Sequence, residues 1–380
     1  MQSFAYNSPT KLHFGVGVGA VADHMADELT SSGCKTALVV TGGGSVRRNG
    51  AHDAVLKALE AAGVRAVEIS GIEPNPRVTS VERATALCRA EGVDLVVAVG
   101  GGSTMDASKA ICAAAGHDGP AWDLVLDNSL VTDASPLMTV NTIAATGSEY
   151  DNSAVISNIE TNLLWPVVSF IDPAYTITVP ARQTVAGSCD TMSHFMEQYF
   201  VKDISPVAEG LIEGILRTVI RNTPVVLENP GDLDARSELL WASTLGCNGI
   251  AALGSQASGW PCHPIEHEVS ARYDITHGIG LAFLTPRLLR YFLEKAPEFL
   301  DRFAGFAERV MGLRADEFDS CEALAEAGLV KLDAFYKSVG VPAAGLAELG
   351  IDNTHFEAMA EHVEKHWFAP LEAFPVPFTR

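Results

Sequence analysis

Two short stretches near the middle of the chain gather side chains that can hold a divalent metal. One reads Cys189-Asp190-Thr191-Met192-Ser193-His194, and the other runs CHPIEHEVSARYDITHG from Cys262 to Gly278. Asp190 and His194 are four residues apart, as are His263 and His267, so on a helix each pair shares one face. His277 follows ten residues after His267, directly before a glycine. One carboxylate with several imidazoles suits zinc or iron(II), and a set without thiolate does not choose between them. Cys189 and Cys262 each precede one of these residues. Helix neighbours point apart, so both read as packing residues.

A second chemistry lies in the first half. Gly100-Gly101-Gly102-Ser103-Thr104-Met105-Asp106 follows an apolar run and opens into ASKAICAAAG. Glycines after a strand let a diphosphate approach the backbone, and a helix N-terminus supplies unpaired N–H groups. The spacing is not GxGxxG, so it is not the ordinary dinucleotide fingerprint. Another run, Thr41-Gly42-Gly43-Gly44-Ser45, is followed by Arg47 and Arg48. The acid that accepts ribose hydroxyls in NAD enzymes is missing there, and two arginines stand in its place. Small residues give a 2′-phosphate room and arginine forks supply charge, which favours NADP(H) over NAD(H). Thr142 and Thr146, in TIAATGSE, are placed at a strand end to bond a nicotinamide amide or ribose. A metal that polarises an oxygen, together with a nicotinamide that moves a hydride, points to a dehydrogenase.

The elements that must position these residues follow from periodicity. TALVVT (36–41), RAVEIS (65–70), VDLVVAVG (93–100) and LMTVNTIA (137–144) read as strands, with helical patterns over 51–63 and 80–92 between the first three. That rhythm predicts a parallel sheet covered on both faces, although strand order cannot be read from it. From about residue 183 β-branched runs become rare, and helical patterns over 207–223, 234–253 and 318–340 take over. Two domains are expected: an α/β dinucleotide-binding domain over 1–182 and an all-α metal-binding domain over 183–380.

Composition narrows the class. The 380 residues are 47% hydrophobic and 19% charged, which is globular and long enough for two cores. A net charge of -21 argues against nucleic-acid or anionic-membrane partners. No apolar stretch approaches the roughly 18 residues of a membrane span, and no signal-peptide pattern opens the chain. Seven scattered cysteines without a CxxC pair suit reduced thiols in the cytoplasm.

These motifs resemble a known family, the group III iron-dependent alcohol dehydrogenases. The resemblance is carried by GGGSTMDASK (100–109), TIAATGSE (142–149), FIDPAYTITVP (170–180), Asp190 with His194, and His263 with His267 and His277. NSPTKLHFGVG near the start and GIEPNPR (71–77) fit as well. Within the family, TGGGSVRRNG resembles the NADPH-dependent butanol dehydrogenase and aldehyde reductase branch. The resemblance implies a Rossmann-like nucleotide domain followed by a helical one. It implies Asp190, His194, His263 and His277 as ligands of one divalent ion, Fe(II) or Zn(II). It implies His267 beside them without closing the ligand set, and so as the candidate proton relay. Gly100, Gly101, Gly102 and Ser103 match the diphosphate loop with Asp106 close by. Thr142, Thr146, Tyr175 and Asn75 match cofactor contacts, as do Gly43 and Gly44, and Ser45 and Arg48 match the 2′-phosphate contacts. A homodimer is implied too.

Two departures stand out. Where the family has a small residue and Asn after TGSE, this chain has Tyr150-Asp151-Asn152, which makes Asp151 the candidate replacement for that cofactor contact. The segment SNIETNLLWPVVSF (157–170) is short and lacks the lysine that reaches the cofactor ribose.

The expected activity is exchange of primary alcohol and aldehyde with a nicotinamide cofactor. Trp260 and Phe195 near the histidines suggest an apolar pocket for short to medium aliphatic substrates. Two other enzymes of the same fold compete, a dehydroquinate synthase-like enzyme and a maleylacetate reductase. Both need cations around an anionic substrate, and residues 257–285 offer only Arg272. A nucleotide-binding protein without catalysis would not need the metal set.

Overall fold

A computed structural model describes residues 1–16, 20–155, 159–256, 259–342 and 346–366. The chain divides into two compact units. One comprises Asn7–Val179 with Asn229–Asn248; the other comprises Met1–Tyr6, Pro180–Glu228 and the chain from Gly249 onward.

The first unit is built on a six-stranded, all-parallel sheet in the order β1-β8-β5-β4-β2-β3. Its strands are β1 (Lys11–Phe14), β2 (Thr36–Thr41), β3 (Arg65–Ile69), β4 (Leu95–Gly100), β5 (Leu137–Asn141) and β8 (Val168–Ile171). Between β5 and β8, β6 (Ser153–Ala154) and β7 (Ile159–Glu160) form a two-stranded antiparallel ribbon. Every residue of β2, β4, β5 and β8 is buried, because helices cover both faces. Alternation divides the core. Leu38, Val40, Val96 and Ala98 pack on one face, against α4 (Val78–Glu91) and α5 (Gly102–Ala115). Ala37, Val39, Val97 and Val99 pack on the other, against α1 (Ala20–Ser32) and α3 (Ala51–Ala61). Short α2 (Ser45–Arg48) and α6 (Ala121–Leu126) complete the connections.

Chain order reverses between β2 and β4: β3 lies outside β2, while β5 and β8 continue beyond β4. Ligands of doubly wound sheets bind at such a switch point, outside the carboxyl ends of the strands. Both glycine runs leave those ends, from Thr41 and from Gly100, and Gly100 is paired with Asn141 at the end of β5.

The second unit is helical: α7 (Ala181–Tyr199), α8 (Pro206–Glu228), α10 (Cys262–Tyr273), α11 (His277–Lys295), α12 (Leu300–Gly305), α13 (Cys321–Ser338) and α14 (Phe356–His366). The fold class matches the sequence expectation. Of the four expected strands β2 forms over the expected residues and β3, β4 and β5 form with a shorter end, while β1 and β8 were not anticipated. The helical pattern expected to stop at Thr223, before Pro224, runs on to Glu228.

The division of the chain also differs from the expected 1–182 and 183–380. Residues 229–248, carrying α9 (Leu233–Thr244), return to the α/β unit. Side-chain bonding explains the return. The Thr244 hydroxyl lies 2.7 Å from Glu149 Oε1. The Arg236 guanidinium donates to Thr176 Oγ1 at 3.4 Å and to the Ile177 carbonyl at 3.3 Å. Gly147, at φ +75°, backs onto the Ser243 carbonyl so closely that a Cβ would overlap it.

Candidate metal centre and nucleotide site

Asp190 and His194 occupy successive turns of α7, His263 and His267 successive turns of α10, and His277 opens α11. Gly278 makes this meeting of helices possible: a Cβ there would overlap the Ala186 carbonyl, one turn before Asp190 on α7. Three imidazoles converge on one carboxylate oxygen. Asp190 Oδ1 lies 3.2 Å from His194 Nε2, 3.7 Å from His263 Nε2 and 3.6 Å from His277 Nε2. Asp190 is 3% exposed, and its Oδ1, like His263 Nε2, is buried without a hydrogen-bond partner. An unsatisfied buried carboxylate oxygen facing an unsatisfied imidazole nitrogen is costly unless a cation joins them. The donor types and their convergence therefore fit a divalent ion.

Two carboxylates not singled out in the sequence hold the rings from behind. Glu197 Oε1 pairs with His263 Nδ1, and Glu266 Oε2 with His277 Nδ1. Fixing Nδ1 in this way turns Nε2 toward the common centre and makes the ring a better donor. Glu197 Oε2 also accepts the Cys262 N–H at 2.6 Å, so one carboxylate satisfies the start of α10 and orients its first histidine. Glu266 is fully buried, accepts from Ser270 Oγ, and lies where a Cβ on Gly280 would collide with it. The signal was spacing: Glu197 lies three residues after His194 and seven after Asp190, and Glu266 three after His263.

The electrostatics follow from this packing. Burial disfavours the Asp190 carboxylate, but His194, His263 and His277 outweigh it and hold the carboxyl well below the usual range. Burial pulls His194 down to about 4 despite Asp190. It opposes charge on His263 as well, yet Glu197 and Asp190 raise that ring to about 10. His267 stacks on His277 with ring centroids 4.8 Å apart. Burial and the neighbouring His277 and His263 rings hold it well below 6.5. It is therefore neutral at neutral pH, rather than titrating near it as its residue type suggested. Glu266, His267 and His277 form a further group whose donor atoms lie within 4.8 Å of one another. Phe195 is fully buried in the core and does not line a pocket, while Trp260 stands half-buried beside His194 and His263. Cys189 and Cys262 are buried, and burial pushes both thiols up.

The nucleotide candidates all lie in the α/β unit. Gly101, extended, precedes α5, and no side chain caps the helix. A Cβ on Gly101 would overlap Ile143, and one on Gly102 the Thr146 hydroxyl, so the loop of Gly100, Gly101, Gly102 and Ser103 lies flat against the 142–146 turn. The Thr142 N–H bonds the Gly100 carbonyl at 3.0 Å. Gly43, Gly44, Ser45 and Arg48 are exposed together at the end of β2. Arg47 is held by Glu68 at 3.2 Å, and Glu68 also by His52 at 2.7 Å. Arg48 makes no ion pair among the described residues. The Tyr175 carbonyl accepts from Asn49 at 2.8 Å, tying that turn to the same loop. Asn75 is exposed with a left-handed φ of +54°.

Asp106 and Asp151 are engaged inside the unit. Lys109, fully buried, pairs with Asp151 at 2.5 Å and donates to Ser148 Oγ at 2.9 Å. Ser148 in turn donates to Asp106 Oδ1 at 2.6 Å. The Asp151 carboxylate, which the sequence offered as a cofactor contact, is thus bound by a lysine of α5. Of the segment 157–170, residues 157–158 lie outside the described residues, and the remainder supplies β7 and β8.

The family model described as iron-containing alcohol dehydrogenase matches residues 9–179, and that of the Fe-containing alcohol dehydrogenase family, C-terminal, matches 184–371. The chain is 42% identical to NADH-dependent butanol dehydrogenase A of Clostridium acetobutylicum, over 96% of this chain and 94% of that one. It is 32% identical to the NADPH-dependent aldehyde reductase YqhD of Escherichia coli, over 98% and 95%. The crystal structure of NADH-dependent butanol dehydrogenase A from Thermotoga maritima superposes with a TM-score of 0.92 at 33% identity, covering 100% of this chain and 96% of that one.

Proposed function

The chain belongs to the iron-containing alcohol dehydrogenase family, and on that footing we propose that it interconverts primary alcohols and aldehydes at a metal held by Asp190, His194, His263 and His277. The family uses a nicotinamide cofactor, an iron-type metal and small-molecule substrates. The observation that carries the proposal is the convergence of three imidazole nitrogens on the buried Asp190 Oδ1, which has no hydrogen-bond partner.

When bound, the ion would polarise the carbonyl oxygen and the nicotinamide would supply hydride. The protein's own part is to hold and to orient. Asp190 contributes a single negative charge, so the ligand set leaves the centre electrophilic. Glu197 and Glu266 lock the His263 and His277 rings. His267, neutral beside His277, can take a proton on one ring nitrogen as the other releases one, which suits it to pass a proton to or from the substrate oxygen. Arg272 is exposed at the last turn of α10, which favours an uncharged aldehyde over a diacid or sugar acid.

We further infer a preference for NADPH. No acid lies among Gly43, Gly44, Ser45 and Arg48. The nearby Glu68 is occupied by Arg47 and His52, leaving Arg48 to meet a 2′-phosphate. The relatives' names divide between the two nucleotides, so this part rests on the loop. Among the described residues no helix is long and apolar enough to cross a membrane, and all seven cysteines are free thiols, which suits a reducing cytoplasm. Light scattering would test the expected homodimer.

The direct test is NADPH oxidation by metal-loaded protein on addition of butanal. The expected result is turnover that a chelator abolishes. Turnover unaffected by complete metal removal, or none with any aldehyde, would overturn the proposal.

A further inference from the structure

Trp260 has φ +52°, the left-handed region in which a bulky side chain is a rare outlier. Such strain persists where surrounding contacts over-determine it, and it concentrates at ligand sites. Here the contacts are rings of the metal centre. The indole meets His194 at 5.6 Å and 76°, and His263 at 5.3 Å and 89°, edge to face in both cases. Immediately after it, Pro261 begins the turn into α10, and the Cys262 N–H is taken by Glu197. The backbone is therefore bent at a residue whose side chain meets two of the proposed ligand rings.

Exposure shows on which side the cluster opens. The Asp190 and His194 side chains are each 4% exposed, against 12% for His263 and 24% for His277. The indole, itself half-buried, borders the His263 side of this opening. It offers a rigid apolar face where the surrounding groups are imidazoles and carboxylates.

We propose that Trp260 is the wall against which the hydrocarbon chain of the aldehyde or alcohol lies, and that it sets the chain length and branching the site accepts. The inference rests on the functional proposal above and assigns its specificity to one residue. Burying an aliphatic chain against an indole removes apolar surface from water, whereas the metal ligands fix only the oxygen end.

The test is a series of linear and branched aldehydes, from propanal to octanal and 2-ethylhexanal, with wild type, Trp260→Phe, Trp260→Ala and Trp260→Gly. Glycine tolerates the left-handed φ and removes the strain, so it keeps the test open if the alanine variant folds poorly. One methylene in an apolar pocket changes kcat/KM by roughly 10–200-fold. Removing the indole takes apolar contact from a long chain and little from a short one, so the octanal-to-propanal ratio of kcat/KM should fall at least about tenfold in the alanine and glycine variants, and less in phenylalanine, with bound metal unchanged. A second readout needs no turnover: 1-hexanol should perturb indole emission in the wild type and not in Trp260→Phe. Wild type active on the series, with a ratio unchanged in both small variants, would overturn this inference alone. A wild type that reduces no aldehyde would overturn the functional proposal with it.

Discussion

Glu197 Oε1 holds His263 Nδ1 while the other oxygen of the same carboxylate accepts the N–H of the preceding residue, Cys262. The orientation of one proposed metal ligand and the start of the helix that carries it thus depend on a single side chain from another helix. This couples the centre to the packing of α7 against α10.

From that coupling, Glu197→Gln should keep the fold and weaken the metal. The amide keeps an acceptor for Cys262 but loses the charge that makes His263 a strong donor. Metal affinity should fall about 10–100-fold. Competition with a chromogenic chelator measures it, and unchanged affinity would mean that Glu197 serves only the helix.

Spacing made the Asp/His cluster legible. Asp190 and His194, or His263 and His267, four apart on helices, betray a shared face through the helical period alone. Glu197 and Glu266 share the helical spacing, but acids in helical patterns look like a solvated face, and only the partner helices bury them. Lys109 reads as an ordinary lysine of ASKAI; its burial depends on Asp151, 42 residues away. Strands β2, β3, β4 and β5 announced themselves as apolar, β-branched runs. Edge strand β1, KLHF, is four residues of mixed polarity. The return of α9 to the α/β unit rests on Thr244 with Glu149 and on Arg236 with Ile177, contacts without a local signature.

Arg48→Ala should discriminate between the nucleotides. A charge-assisted hydrogen bond contributes about 1.5–3 kcal/mol, so KM for NADPH should rise roughly tenfold or more while that for NADH barely moves. Equal losses with both cofactors would show that Arg48 supports the loop rather than reading a phosphate.

Asp106 gives stability a pH dependence. Burial, the largest influence, and Asp151 push its carboxyl to about 6, against the pull of Lys109 and Ser148. Its unfolded value is about 3.9, so between pH 4 and 6 the folded state holds a proton that the unfolded state has released. This group's contribution is therefore largest below about pH 4 and is lost as pH rises toward 6, by at most about 3 kcal/mol. Urea unfolding of wild type and Asp106→Asn across that window should show the wild type losing stability relative to the variant. A constant difference between them would contradict this.

His267→Gln should leave bound metal near stoichiometric and lower turnover. Because His267 lies against His277 while the proposed ligand set is complete without it, metal analysis separates its roles. Loss of metal would make it a ligand; full metal with full turnover would leave it without a part in proton transfer.

The most direct measurement is metal content and butanal-dependent NADPH oxidation of His263→Ala beside wild type, each metal-depleted and then reconstituted with Fe(II) or Zn(II). His263 Nε2 is a buried nitrogen without a hydrogen-bond partner, facing Asp190 Oδ1, and lies in a different unit from the glycine loops. The wild type should recover turnover with about one ion per chain. The variant should recover neither, while its NADPH affinity, read by nucleotide fluorescence, stays near that of the wild type. A variant that binds metal stoichiometrically and turns over normally would contradict the assignment of the metal centre.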